Sequence, residues 1–301
     1  MLEHIRVIDL CDGTSQFAGH ILARLGAEVI AVEPVEGVST RHSGPYVDDD
    51  PHLDFSLTHW AYNRGKKSVV LDIELEQDRE KFLRLIQSAD ILFEDCQPGY
   101  LESLGLSPLD LANTNPQIIH ASITPYGLTG PRSHWLGTDL TAAAGSSFLY
   151  ASGDADRAPL RIGVPHSFLH GAADAAAASL VALQERNRSG MGQHIDVSAQ
   201  ESLTIGFPQN VAPMENALPA DRMAGGIRIG GMEIPLLFPC LDGYAICVIL
   251  PGAAFAPFCH RLTDWLEEEG ASDENLRSID WVNIGVQLFA GEVSFDAVAA
   301  A

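Results

Sequence analysis

An α/β fold is what this sequence predicts: a Rossmann-like parallel sheet with helices on both faces, followed by a smaller α+β domain. Three observations carry the prediction. The first 33 residues run strand, helix, strand, and a crossover that short joins parallel neighbours with right-handed sense. Residues 159–200 repeat the unit around an alanine-rich run too small-chained for a surface helix, which places it buried against something flat. Finally, Asp242-Gly243 between two apolar runs is a strong hairpin signal in a region where the parallel pattern has ended.

The elements follow in order. Residues 5–10 (IRVIDL) form an apolar strand, residues 17–25 a helix stopped by Gly26, and residues 27–32 (AEVIAV) the next strand. The turn between them holds a single glycine, Gly13, where a nicotinamide site needs a G-x-G-x-x-G turn. Glu33 is expected as an exposed carboxylate ending its strand, not a ribose ligand. A loop over 42–58 leads to NRGKKSVVLDI (63–73), in which Arg64, Lys66 and Lys67 precede an apolar strand. Residues 76–89 have helical period, 90–94 and 117–123 are strands, and Asp139 is expected to cap an alanine-rich helix. In the closing unit Leu160, Ile162 and Val164 alternate as a lead strand, residues 172–183 form the buried helix, Ser189 to Gly192 stop it, and residues 194–197 resume as a strand. The domain expectation is 1–207 for the large domain, 208–231 for a linker, and 232–301 for the small domain, with helices over 255–268 and 279–286.

Composition narrows the function classes. With 40 acidic against 18 basic residues and a formal charge of −22, the chain is a poor partner for nucleic acid or anionic membrane. The opening residues lack a basic, apolar leader, and no run reaches the roughly 18 apolar residues of a membrane span, so a cytoplasmic protein is expected. Five cysteines without a CxxC pair point to reduced, mostly buried thiols and give no metal motif. In so acidic a chain, the few cations mark where a phosphate could be held.

Several motifs together resemble the type III (CaiB/BaiF) CoA-transferases. SGMGQHIDVS (189–198) is similar to that family's TGxGQxVDVS, residues 17–33 to GPxAxxxLADLGAEVIKVE, and residues 63–73 to NRGKRSVxLDL. The resemblance spans nearly the whole chain. It implies the Rossmann-like fold, a coenzyme A thioester as substrate with no tightly bound cofactor, an acyl-CoA and a carboxylic acid as the reacting pair, and a homodimer or a heterodimer with a related subunit. It makes Arg41, Asn63, Arg64, Lys66, Asp95 and Cys96 the candidate coenzyme A contacts. Relatives also continue beyond the length seen here, so a C-terminal return segment is expected to be absent.

The departures are as informative. Asp95 stands where the family has asparagine, while Gln97 and Ser103 stand for arginines. Thr138 holds the place of the histidine used by related racemases. The family's nucleophilic aspartate aligns with Phe168, and neither His166, Ser167 nor His170 offers the base and orienting carboxylate a substitute would need; Asp174 is the alternative if the alignment slips. Three readings stay open: an active transferase, a subunit dependent on an Asp-bearing partner, or an inactive coenzyme A-binding, regulatory or decayed chain.

Overall fold

Six parallel strands make the main sheet: β1 (Arg6–Asp9), β2 (Glu28–Glu33), β3 (Lys67–Val70), β4 (Ile91–Glu94), β5 (Ile119–Thr124) and β6 (Gln193–Ser198). Their spatial order is β3-β2-β1-β4-β5-β6, the Rossmann arrangement expected from the sequence. The direction of winding reverses between β1 and β4, leaving a crevice at their carboxyl ends. A computed structural model describes residues 1–154, 156–206, 222, 225–229, 232–250, 252–271 and 274–292. The expected linker, 208–231, lies mostly outside the described residues.

Successive strand residues face opposite layers, and the two cores divide accordingly. Val7, Val29, Ile91, Phe93, Ile119 and Ile123 face α1 (Phe17–Arg24) and α8 (Ser167–Ser189). Ile8, Val32 and Leu92 face α3 (Glu76–Gln87) and α5 (Pro108–Thr114), where Phe82, Ile86 and Leu111 are fully buried. Between these helices lie α2 (Leu57–Asn63) and α4 (Tyr100–Ser103), then α6 (Asp139–Gly145) and α7 (Phe148–Ala151).

The alanine-rich run behaves as its side chains require. Ala172, Ala175 and Ala176 are almost fully buried, and Gly171 lets α8 approach so closely that a Cβ there would stand 3.2 Å from Ile123 Cγ2. At its far end Arg186 donates to Asp90 Oδ1 (2.7 Å) and to the Gln117 carbonyl (3.1 Å), fastening the helix to the amino edge of the sheet. Gly192 then passes directly against the Ile118 carbonyl, where no side chain fits. The expected lead strand is not formed: Leu160, Ile162 and Val164 are exposed, because no neighbouring strand pairs with them among the described residues.

The chain divides into two compact units, residues 1–149 with 161–218, and residues 150–160 with 219–301. In the second, β7 (Gly226–Ile229) pairs antiparallel with β8 (Met232–Pro235), and β9 (Leu237–Cys240) with β10 (Gly243–Ile246), the latter turning at Leu241-Asp242. The strand at 226–229 falls inside the expected linker, since Gly-Ile-Arg-Ile is too short to show a period. After α9 (Ala199–Gly206) in the first unit come α10 (Ala256–Glu268), α11 (Glu274–Ser278) and α12 (Ile284–Ala290) in the second, around a core that includes Ile234, Cys259, Trp281 and Ile284. All five cysteines are free, with Cys11 and Cys259 buried but Cys240 exposed, so the expected burial holds for only part of the set. No helix among the described residues is long and apolar enough to cross a membrane.

Candidate functional site

The crevice at the carboxyl ends of β1 to β4 is a cleft of about 570 Å³. Open α/β sheets bind ligands at such a switch point. Its walls are the last residues of β2, Val32 and Glu33, and the segments that immediately follow the four strands: Leu10 to Asp12, Pro34 to Glu36, Leu71 to Glu74, and Asp95 to Gln97, closed by Tyr100. Two of the candidate residues, Asp95 and Cys96, therefore lie in it. Arg41, Asn63, Arg64 and Lys66 do not line it.

Lys66 is engaged inside the protein. Its side chain is 2% exposed, and Nζ donates to Asp9 Oδ2 (2.6 Å), the Gln16 carbonyl (2.6 Å) and Asn63 Oδ1 (2.8 Å). An ammonium has three N–H donors, so none remains for a ligand. Asp9, itself 1% exposed, also accepts the Cys11 N–H. Gly19 on α1 makes the room, since a Cβ there would overlap the Asp9 carboxylate. The sequence hint was a carboxylate at the end of an otherwise apolar strand, paired with a glycine in the interior of a helix.

Asn63 belongs to the same buried network. Its Nδ2 donates to Gln16 Oε1 (2.8 Å), which also receives the Thr40 hydroxyl (2.8 Å), and Thr40 meets His59 Nδ1 at 2.9 Å. Burial holds His59 below the usual histidine range, with the Arg41 charge adding to it. Arg64 is exposed and makes no side-chain hydrogen bond or ion pair among the described residues; together with Arg41, Asn63, His59, Trp60 and Asp54 it lines a second hollow of about 650 Å³, which brings three of the candidate residues to one place.

Arg41 forms a two-pronged ion pair with Glu33, Nε to Oε2 at 2.5 Å and Nη2 to Oε1 at 2.8 Å, while Nη1 reaches Asp54 at 3.0 Å. Glu33 is 3% exposed, so the expected exposed carboxylate is instead the buried partner of the loop arginine. Burial alone would raise its carboxyl; Arg41 and the Ser68 hydroxyl (2.6 Å) outweigh it and bring the pKa down to about 2. A depressed carboxyl stabilises the fold above its unfolded pKa, and that contribution is lost as pH falls through the folded value. Urea denaturation across a pH series is expected to show about 3 kcal/mol lost between the ordinary value of 4.5 and about 2. Glu33→Gln should flatten that part of the profile; an unchanged slope would remove the ion pair from the acid response.

The acidic side chains set the chemistry of the cleft. Asp12 Oδ1 accepts from Gly13 N, Ser39 N and Ser39 Oγ at 2.6 to 2.8 Å, and its own N–H donates to Asp95 Oδ1 at 2.9 Å. Although Asp95 keeps a partly exposed edge, burial of its carboxyl, with Asp12 and Glu94 nearby, pushes it up to about 8. It holds its proton at neutral pH. Burial and the carboxyl groups of Glu94 and Asp95 also push the Cys96 thiol up, which removes it as a thiolate nucleophile. Beside the cleft, Glu94, His120, Ser122 and His194 form a chain of contacts across β4, β5 and β6: His120 Nε2 lies 3.4 Å from Glu94 and Ser122 2.9 Å from His194 Nε2. Ser122 is 1% exposed, so it is closed to a substrate.

Phe168 lies at the second residue of α8, half-buried against the α1–α8 core, and does not line the cleft. The nearby carboxylate is committed: Asp139 Oδ1 accepts the Ser167 N–H at 2.8 Å and its carbonyl accepts the Ser167 hydroxyl at 3.1 Å. Asp139 therefore ties α6 to the start of α8, and the cap of α6 itself is Thr138, whose hydroxyl accepts from Thr141. This corrects the expected capping role: a residue already inside the first turn points outward from its own helix. Asp174, two turns into α8, is exposed.

A sequence profile described as CoA-transferase family III matches residues 2–290. Succinyl-CoA:(R)-benzylsuccinate CoA-transferase subunit BbsE of Thauera aromatica is 36% identical over 289 residues, covering 93% of this chain and 68% of that protein. Acetyl-CoA:oxalate CoA-transferase of Acetobacter aceti is 40% identical over 211 residues, or 69% of this chain and 53% of that one. Among solved structures, a CAIB/BAIF family protein from Brucella suis superposes with a TM-score of 0.74 at 27% identity, over 96% of this chain and 75% of the other. The chain thus spans about half to three quarters of the length of these relatives.

Proposed function

This chain belongs to CoA-transferase family III, and on that premise we propose that it takes part in moving coenzyme A between carboxylic acids as a cytoplasmic subunit of an assembly with a related, Asp-bearing chain. The substrates of the assembly are an acyl-CoA and a free carboxylic acid. In support, the two curated relatives are named for such pairs, succinyl-CoA with benzylsuccinate and acetyl-CoA with oxalate, and the first is named as a subunit.

One observation carries the dependence on a partner. Covalent acyl transfer needs a carboxylate oxygen to attack the thioester carbonyl, breaking its C–S bond to release coenzyme A as thiolate and leaving a mixed anhydride; the thiolate then attacks the enzyme-side carbonyl of that anhydride, breaking its C–O bond to expel the first acid as a carboxylate and leave an enzyme thioester, from which coenzyme A passes to the second acid. At the start of α8 this chain offers the ring of Phe168, while the Asp139 carboxylate is taken up by the Ser167 N–H. An apolar ring cannot form the anhydride.

The test is trapping. Incubated with succinyl-CoA and hydroxylamine or borohydride, the isolated chain should yield no modified residue, whereas the assembly recovered with its partner should be modified on the partner. Modification of this chain in isolation would overturn the proposal.

A further inference from the structure

From the charge of the switch-point cleft we infer that this chain does not hold the 3′-phospho-ADP of coenzyme A there. The inference rests on the transferase reading above and removes the switch-point cleft as its nucleotide site.

The cleft has the size and location of a ligand site, but its polar lining is of one sign. Asp12, Glu33, Glu36, Asp72, Glu74 and Asp95 are among its lining residues, and no lysine or arginine lines it among the described residues. Of the nearby cations, Arg41, Lys66 and Arg79 are occupied, and Arg64, exposed and unpaired among the described residues, lines the second hollow instead. Arg41 is held on Glu33 from outside the cleft, and Lys66 is sealed beneath it by three acceptors. Arg79 donates to the carbonyls of Ile73 and Glu74 at 3.1 Å, so it braces the wall and leaves the cavity to the carboxylate. Gln97 is exposed at the rim and bears no charge. A polyphosphate is bound by cationic forks and ammonium groups; here it would meet like charge in a confined space, where screening is weaker than on an open surface.

Nor do the neutralised groups rescue the site. Asp95 keeps its proton and Glu33 is paired, but Glu36, Asp72 and Glu74 have no cationic partner among the described residues. Glu74 accepts the Tyr100 hydroxyl at 3.1 Å, which fixes its carboxylate at the cleft wall.

Calorimetry on the whole chain tests this, with coenzyme A and pantetheine as probes at low and high ionic strength. The wild type should give no saturable heat with coenzyme A. Glu74→Lys combined with Gln97→Arg, both on exposed side chains, should turn the absent signal into saturable coenzyme A binding, and that binding should weaken at least tenfold in high salt. Glu36→Lys is the second variant should the first fail to fold, and it should shift affinity the same way. Saturable wild-type binding of coenzyme A, tighter than pantetheine, would overturn the inference. So would charge variants that gain nothing, since the cleft would then be closed by something other than charge. Absence of turnover with any partner would instead count against the transferase reading, because binding to this chain alone does not depend on turnover.

Discussion

Lys66→Ala is expected to destabilise the fold by about 3–5 kcal/mol, the range found when one member of a buried ion pair is removed. The cause is Asp9, 1% exposed, which would keep the Cys11 N–H but lose the ammonium at 2.6 Å and remain as an uncompensated charge under α1. The Gln16 carbonyl and Asn63 Oδ1 would each lose a donor as well. A lysine held on the surface for a ligand would cost under about 0.5 kcal/mol. Urea denaturation separates the two directly. Combining Lys66→Met with Asp9→Leu, which removes both charges, should recover a large part of the loss, because the penalty belongs to the orphaned carboxylate. A stable, fully folded Lys66→Ala chain would refute the structural role.

Phe168→Asp should convert a chain that forms no acyl adduct into one that does, provided that an acyl-CoA reaches the start of α8. Loss of a covalent nucleophile typically costs on the order of a million-fold in rate, since the two-step path itself disappears. The new carboxylate would sit in the first turn of a 23-residue helix, where the N-terminal partial charge favours an anion. Phe168 is only partly buried, so the exchange leaves most of the α1–α8 core in place. Mass spectrometry after borohydride trapping, with the partner present to supply coenzyme A, reads the outcome. An adduct at position 168 would show a scaffold that lost only its nucleophile. No adduct, in a variant that still folds and assembles, would mean that acyl groups never reach this helix.

Much of the fold was legible because it rests on local patterns. Short apolar strands, an amphipathic helix between them and a run of alanines each bury in the one way their side chains allow, and together they dictate a parallel, doubly covered sheet. The lead strand expected at Leu160 to Val164 shows the limit: alternation is necessary for a half-buried strand, but a strand also needs a neighbour, and among the described residues none pairs with it. The four-residue strand Gly226–Ile229 shows the converse, formed by pairing with Met232–Pro235 and too short to announce itself.

The candidate site divides in the same way. By itself the sequence determined the class of fold, the place of the crevice at Asp95 and Cys96, and the scarcity of cations from which any phosphate site would have to be built. Only the tertiary structure decided where those cations point. Arg41 lies eight positions from Glu33 and Lys66 fifty-seven from Asp9, and no local pattern says whether a side chain in a basic turn faces solvent or a carboxylate brought beneath it by the sheet. A buried carboxylate must be paired, and that requirement claims the nearest cation before any ligand can.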